Sequence, residues 1–212
     1  MKVIVFGAAG EVGRRIVWEA LERGHEVTAV TRNLGKQPFD SRAEVLVRDV
    51  LTANDIEELV AAHDLAISAL RPPEGYESAL LSLTKAVVLA ARLSKVRFLV
   101  VGGAASLQVP EQPGQTLLSA PGLIPDHVRP IAEASQRQYQ WCLPQLDSRS
   151  TYLCPPAELL PGERTGTYRT GTDSLVADTR GRSLISMEDF AVALLDEVET
   201  PRHGGSRFTV GY

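Results

Sequence analysis

Two rhythms of apolar and polar positions alternate along this chain, and the switches between them lay out its elements. Lys2-Val3-Ile4-Val5-Phe6 is an apolar, β-branched run of strand length. After a glycine-rich turn, Val12, Ile16, Val17, Ala20 and Leu21 recur at helical spacing. Gly24 reads as the C-terminal cap of that helix, and residues 25–30 as a second strand that runs out at Thr31-Arg32-Asn33. The pattern then predicts a third strand over 44–48 ending at Asp49-Val50, a helix over 55–62, and a short buried strand over 64–70. Arg71-Pro72-Pro73-Glu74-Gly75 cannot be helical.

A long helix over 78–93, apolar nearly all round, precedes a fifth strand over 96–101. Residues 108–130 are rich in Pro, Gly and Gln with little periodicity, and a loop of that length reads as part of a lid on the substrate side. A helix over 131–143 follows, then a sixth strand from Ser150 that is stopped by Pro155 and Pro156. Residues 161–171 look like turns and short extended pieces. Residues 185–198 form an amphipathic helix, with Ser186 as N-cap and Asp189 as the acidic end of a capping box. The chain closes on Arg207-Phe208-Thr209-Val210.

Strand and helix in alternation specify an α/β fold, a doubly wound parallel sheet of the Rossmann type. At 212 residues, with no repeat or linker, it is expected to be one NAD(P)-binding domain over 1–212, whose part from about 150 onward contributes to the substrate side. In such sheets ligands bind at the carboxyl ends of the strands.

That rule directs attention to Gly7-Ala8-Ala9-Gly10-Glu11-Val12-Gly13, between the first strand and the first helix. Gly7 would allow the tight turn, Gly10 would let backbone amides approach a pyrophosphate, and Gly13 would let the helix pack closely. Ala9, Glu11 and Val12 complete the cradle, and the helix N-terminus offers unpaired N–H groups to phosphate. Arg32 lies nineteen positions after Gly13, with no acid at the strand end, so its guanidinium suits the 2′-phosphate of NADP(H) more than the free ribose of NAD(H). Asp49 and Val50 either line the adenine pocket or, for Asp49, close an Asx turn or cap the next helix. Ala69 and Leu70 would pack against the middle of the cofactor, and Arg71 is a further phosphate or carboxylate partner, or simply a solvated loop arginine. Gly102 and Gly103 would leave room for a nicotinamide, with Pro155 across from them. Ser106 and His127 are the candidate catalytic groups; Ser106 equally suits a turn, and His127 a solvated helix start.

Composition narrows the partners. A formal net charge of −4 offers no global attraction to nucleic acid or an acidic membrane, and no apolar run reaches the length of a spanning helix. Two cysteines without C-x-x-C spacing and four scattered histidines indicate neither a disulfide framework nor a metal site. A small-molecule substrate, a monomer or homodimer and a cytoplasmic location are expected.

These residues resemble the small atypical short-chain dehydrogenase/reductases of the NAD(P)H-binding, NmrA-like type, among them NADH-flavin reductase-like and epimerase-like proteins. The likeness rests on Gly7 to Gly13, Thr31-Arg32-Asn33, the 100–107 stretch, Pro155-Pro156, Pro161-Gly162-Glu163-Arg164-Thr165-Gly166, the 185–191 stretch and the final strand. Relatives commonly place an aromatic residue ahead of Thr151-Tyr152, where this chain has Asp147-Ser148-Arg149-Ser150. The resemblance implies the fold and a nicotinamide cofactor.

Most short-chain dehydrogenases use a Tyr-x-x-x-Lys pair for proton transfer. The fourth residue after Tyr76, Tyr139, Tyr152 and Tyr168 is Leu80, Leu143, Pro156 and Thr172, so the pair is absent. A Ser-His-Asp hydrolase elbow is absent as well. The reading that follows is an NADPH-dependent oxidoreductase acting on a planar acceptor such as a flavin or quinone. A non-catalytic NADP(H)-binding redox sensor, and an epimerase, dehydratase or cyclase, stay open beside it. Arg32→Asp is expected to weaken NADPH binding far more than NADH binding in parallel titrations; equal losses would show that Arg32 does not discriminate.

Overall fold

Nearly continuous apolar runs let the strands bury both faces, as parallel sheets require, and helices of 3.6 period cover them. The computed structural model describes residues 1–34 and 38–212. Its elements in chain order are β1 (Lys2–Phe6), α1 (Glu11–Glu22), β2 (Glu26–Thr31), β3 (Glu44–Val47), α2 (Ile56–Ala61), β4 (Leu65–Ser68), α3 (Leu80–Leu93), β5 (Arg97–Val101), α4 (Arg129–Cys142), β6 (Thr151–Cys154), β7 (Glu158–Leu160), β8 (Arg169–Gly171), β9 (Leu184–Ser186), α5 (Met187–Glu199) and β10 (Arg207–Gly211). The main sheet runs β3-β2-β1-β4-β5-β6-β10-β8, and only β8 is antiparallel to its neighbour. The chain winds outward from β1 to β3, then returns to β4 on the other side of β1. The crevice at that reversal is where such sheets bind ligands.

Alternate residues feed two cores. Val3, Val5, Ile67, Leu99 and Phe208 face Ile16, Val17, Phe190 and Leu194 of α1 and α5. Ile4, Phe6, Phe98, Val100 and Tyr152 face Val60, Val87, Val88 and Cys142 of α2, α3 and α4. Helix α1 ends as its sequence implies: Gly24 adopts φ +77°, its N–H reaches the Leu21 carbonyl at 3.0 Å, and the His25 N–H reaches that of Ala20 at 3.0 Å. This double bond is the Schellman termination.

Three regions sharpen the expectation or depart from it. Residues 108–128 contain no regular helix or strand, yet they are not a free lid. Leu107, Leu117 and Ile124 are buried in the α3–α4 core, and Gln108 bridges to Thr116 and Ser174. Apolar anchors every few residues make the segment a fixed wall. Second, the short extended piece expected within 161–171 is β8, and outside that range β7 and β9 pair in parallel as a separate two-stranded sheet. Third, the capping box of α5 is only half made. Ser186 Oγ accepts the Asp189 N–H at 2.9 Å, but the Ser186 N–H goes to the Tyr212 hydroxyl, and the Asp189 carboxylate serves the preceding tail instead.

That carboxylate is fully buried and accepts the N–H groups of Thr165 and Gly166, each at 2.8 Å, and the hydroxyls of Thr165 and Tyr212. Nearby, Arg164 binds both oxygens of the buried Glu19 on α1, at 2.7 and 2.8 Å, and Glu188 receives Arg15 at 2.6 Å and the Gly162 N–H at 2.8 Å. Acids of α1 and α5 thus strap down the Gly162–Gly166 tail. Burial pushes the Asp189 carboxyl upward, but hydrogen bonds from Thr165, Tyr212 and Gly166 outweigh it and hold the group below its ordinary value. Asp189→Ala removes a charged acceptor from the part-buried N–H and hydroxyl donors of Thr165, Gly166 and Tyr212 and is expected to cost roughly 2 kcal/mol at neutral pH. Because the folded group titrates lower than the unfolded one, the ionic part of its stabilisation is full above about pH 4 and fades as the pH falls further. Urea unfolding of wild type and variant should therefore show a gap that narrows in acid, and a gap independent of pH would contradict the assignment.

Candidate cofactor crevice

Strand β1 ends at Phe6, and the next residue must turn sharply. Gly7 does so at φ +83°, and a Cβ there would also lie 2.5 Å from the Ala69 carbonyl oxygen. The N–H groups of Gly7 and Ala8 both reach the Val30 carbonyl at 3.1 Å, tying the loop to β2. Gly13 lies so close to the Gly7 carbonyl that a side chain would overlap it. Gly10 differs: a Cβ there would meet only the Gly7 oxygen, at 3.2 Å. Its open side faces outward, where a ligand can approach the backbone.

No side chain caps α1 at Gly10, so the amides of Glu11, Val12 and Gly13 are left for another partner. The Glu11 carboxylate is drawn to Arg15 at 3.0 Å, which leaves its amide as the relevant group. The positive end of the α1 dipole adds to the attraction for an anion. An uncapped N-terminus, an approachable Gly10 and a helix held tight at Gly13 fit the pyrophosphate of a dinucleotide.

The remaining predicted residues surround this loop, because the register of the sheet levels its strand ends. Phe6 pairs with Val30 and Ser68, Ser68 with Val100, and Val101 with Leu153. Ala69, Leu70 and Arg71 leave β4 beside Gly7, Gly102 and Gly103 leave β5, and Pro155 leaves β6 on the same edge. Arg32 is exposed at the end of β2, in a bend set by Thr31 and Asn33, and has no ion-pair partner among the described residues. Arg71 is likewise exposed. Asp49 makes the Asx turn, its Oδ1 accepting the Leu51 N–H at 3.0 Å, and it does not cap α2, which starts after Asp55. Val50 is buried in the core with Ile56 and Val60.

Sequence reasoning did not single out Arg14, directly after the third glycine. Its guanidinium donates to the Pro38 carbonyl at 2.9 Å and stacks over Phe39 at 4.9 Å, tying the β2–β3 connection to the first turn of α1. The signal was a basic residue at that position, but its partner is distant in sequence.

Three expectations change beyond the end of β5. The space freed by Gly102 is filled by the Tyr152 ring, and that freed by Gly103 by Ser135, whose Oγ would lie 2.5 Å from a Cβ there. These glycines admit the protein's own side chains. Ser106 is buried on the sheet face, its Oγ accepting Arg207 Nη1 at 2.7 Å, while Arg207 is paired with Asp173 at 2.8 Å and stacked on Tyr139. That places it in a structural ion cluster. His127 is exposed in a turn before α4. The structure therefore does not join Ser106 and His127 to the glycine loop. Tyr152 lies nearest the β5 turn, but burial drives its hydroxyl well above the ordinary range and the group donates to Gln138 at 2.9 Å. It is sealed off from solvent. A concavity of about 500 Å³, lined by Pro110, Glu111, Arg169, Asp173 and their neighbours, shares no residue with this crevice. None of the helices among the described residues is long and apolar enough to cross a membrane.

A Rossmann-type sheet with a glycine loop and an uncapped helix start at its reversal point is the arrangement of a dinucleotide-binding protein. The chain belongs to the NAD(P)H-binding family, whose profile matches residues 7–201. It is 40% identical to the uncharacterised protein YwnB of Bacillus subtilis, over 99% of this chain and 98% of that one. Among solved structures, a "putative epimerase" from Bacteroides thetaiotaomicron superposes with a TM-score of 0.88 at 36% identity, covering 100% of this chain and 96% of that one. A "putative NADH-flavin reductase" from Streptococcus pneumoniae gives 0.87 at 29% identity, covering 100% and 99%.

The glycines make separable predictions. Gly10→Ala, with extended backbone at φ −72° and ψ 163° and one tight contact to relieve, the Gly7 carbonyl oxygen at 3.2 Å, should cost no more than about 1 kcal/mol of stability yet weaken nicotinamide cofactor binding about tenfold or more. Thermal unfolding and calorimetric titration of the same sample check this. A variant that binds cofactor like the wild type would show that the phosphates do not approach Gly10.

Proposed function

We propose that the protein is an NADPH-dependent reductase of a planar acceptor, a flavin or a quinone. The observation that carries this reading is an anion cradle beside a strand edge that holds no proton-transferring pair. Oxidation of an alcohol requires a base to remove the hydroxyl proton, and the Tyr152 phenol next to the β5 turn is buried and engaged. Hydride transfer to a flavin or quinone asks less of the protein, because the acceptor's own electronics stabilise the product and the second proton comes from solvent.

In this reading the amides of Glu11, Val12 and Gly13 hold the pyrophosphate, and Arg32 holds the 2′-phosphate. Ala69 and Leu70 support the middle of the dinucleotide, and the Gly102–Gly103 backbone supports its nicotinamide end. The bound dihydronicotinamide supplies the hydride. The protein's part is to place donor and acceptor face to face and to exclude water between them. Pro155 and the anchored wall at Leu117 and Ile124 border the acceptor side. Arg71 is exposed beside the crevice and offers a positive charge to an acceptor phosphate or carboxylate. The name of the Streptococcus pneumoniae relative, with its flavin acceptor, supports this class of reaction.

NADPH oxidation measured with a panel of flavins and quinones tests the proposal. Turnover should obey NADPH + H⁺ + acceptor → NADP⁺ + reduced acceptor, with NADPH preferred to NADH. Tight cofactor binding without turnover of any acceptor would refute it and favour a redox sensor, while a product isomeric with its substrate would favour an epimerase.

A further inference from the structure

The turn after β5 is shaped from beneath. Neither Gly102 nor Gly103 has a positive φ, so no backbone conformation requires glycine there. What excludes a side chain is the Tyr152 ring under Gly102 and Ser135 under Gly103. The Gly102 N–H extends the sheet ladder to the Leu153 carbonyl at 2.8 Å, so the turn is drawn against β6 from the side as well.

Tyr152 is itself fixed by a relay through the core. Its hydroxyl donates to Gln138 Oε1 at 2.9 Å, Gln138 Nε2 donates to Thr84 Oγ1 at 2.8 Å, and Thr84 Oγ1 donates to the Leu80 carbonyl at 2.9 Å. All three side chains are buried, and the Gly103 N–H faces the phenol oxygen. Polar groups in an apolar core are tolerated only when paired, and Phe, Leu and Val would fill the same volume without that demand. The relay therefore contributes something that packing does not. It fixes the phenol, and so the turn, relative to α3 and α4.

We propose that Tyr152 is a positioning residue, which holds the Gly102–Gly103 turn at one height above the sheet and thereby sets the seat of the nicotinamide half of the cofactor. The adenosine half is held separately, by α1 and Arg32. This inference rests on the cofactor orientation proposed above. It does not require any particular acceptor.

Titration with 2′,5′-ADP, which presents only the adenosine half, and with NADPH, which presents both, separates the two seats. Tyr152→Phe should leave 2′,5′-ADP affinity within about twofold of wild type and weaken NADPH about tenfold, the size of one lost buried hydrogen bond. The fluorescence of bound NADPH should move toward that of free NADPH. Thr84→Val, which breaks the far end of the relay without touching the turn, should give the same pattern at smaller size, and it stands in if Tyr152→Phe fails to fold. Unchanged NADPH affinity in both variants, or equal losses of both ligands, would overturn the proposal. If wild type binds NADPH but reduces no acceptor, the reductase reading fails while these titrations still decide the role of Tyr152.

Discussion

No side chain fits between the Gly7 carbonyl and helix α1 at Gly13, and the rest of the crevice depends on that contact. It holds the first turn of α1 against the end of β1, so that three unpaired amides face the reversal point of the sheet. A helix set a few ångströms further away would still cover the sheet, but it could not present its N-terminus beside Ala69 at the end of β4. The steric demand at Gly7 and Gly13 is therefore also an electrostatic device: it sets the positive end of the helix at the reversal point of the sheet, where it favours an anion.

The far side of α1 is held just as firmly, by charge. Glu19, nearly devoid of solvent contact, pairs with Arg23 on its own helix and Arg164 in the tail. Arg23 continues to Asp196 and Glu199 at the end of α5, and Arg15 to Glu188 at its start. Burial pushes the Glu19 carboxyl up, and the two arginines more than reverse this, so the group stays charged. Such buried pairs add little net stability compared with apolar packing, but breaking one is costly. Their effect is to fix the register of α1, α5 and the Gly162–Gly166 tail, which explains why that tail carries a recognisable sequence.

What the sequence makes legible follows from the range of the interactions. The order of strands and helices, the Schellman end of α1 and the Ser186 cap are local, and they read directly from spacing and residue type. The strand ends that carry the candidate cofactor residues can be placed from sequence too, since the carboxyl ends of parallel strands are brought level by the sheet itself. Long-range pairing escapes such a reading. Ser106 is an inviting hydroxyl near a strand end until Arg207, a hundred residues away, is seen to occupy it. Gly102 and Gly103 suggest open space, but Tyr152 and Ser135 fill it. Residues 108–128 look loose because their order comes from scattered apolar anchors and not from a repeating pattern. Arg14 and the acids that bind the tail were missed for the same reason.

The end of the crevice proposed for the nicotinamide is accordingly the part built from the most distant pieces: β5, β6 and α4, with α3 behind them. The end proposed for the adenosine half starts from the β1–α1 loop and the end of β2, close together in sequence. The central claim is that a single dinucleotide joins the two. Its most direct test is a crystal structure of the protein with NADPH. The account predicts the pyrophosphate against the amides of Glu11, Val12 and Gly13, the 2′-phosphate at Arg32, and the nicotinamide over the Gly102–Gly103 turn. A dinucleotide bound elsewhere, or a pyrophosphate away from the start of α1, would contradict it.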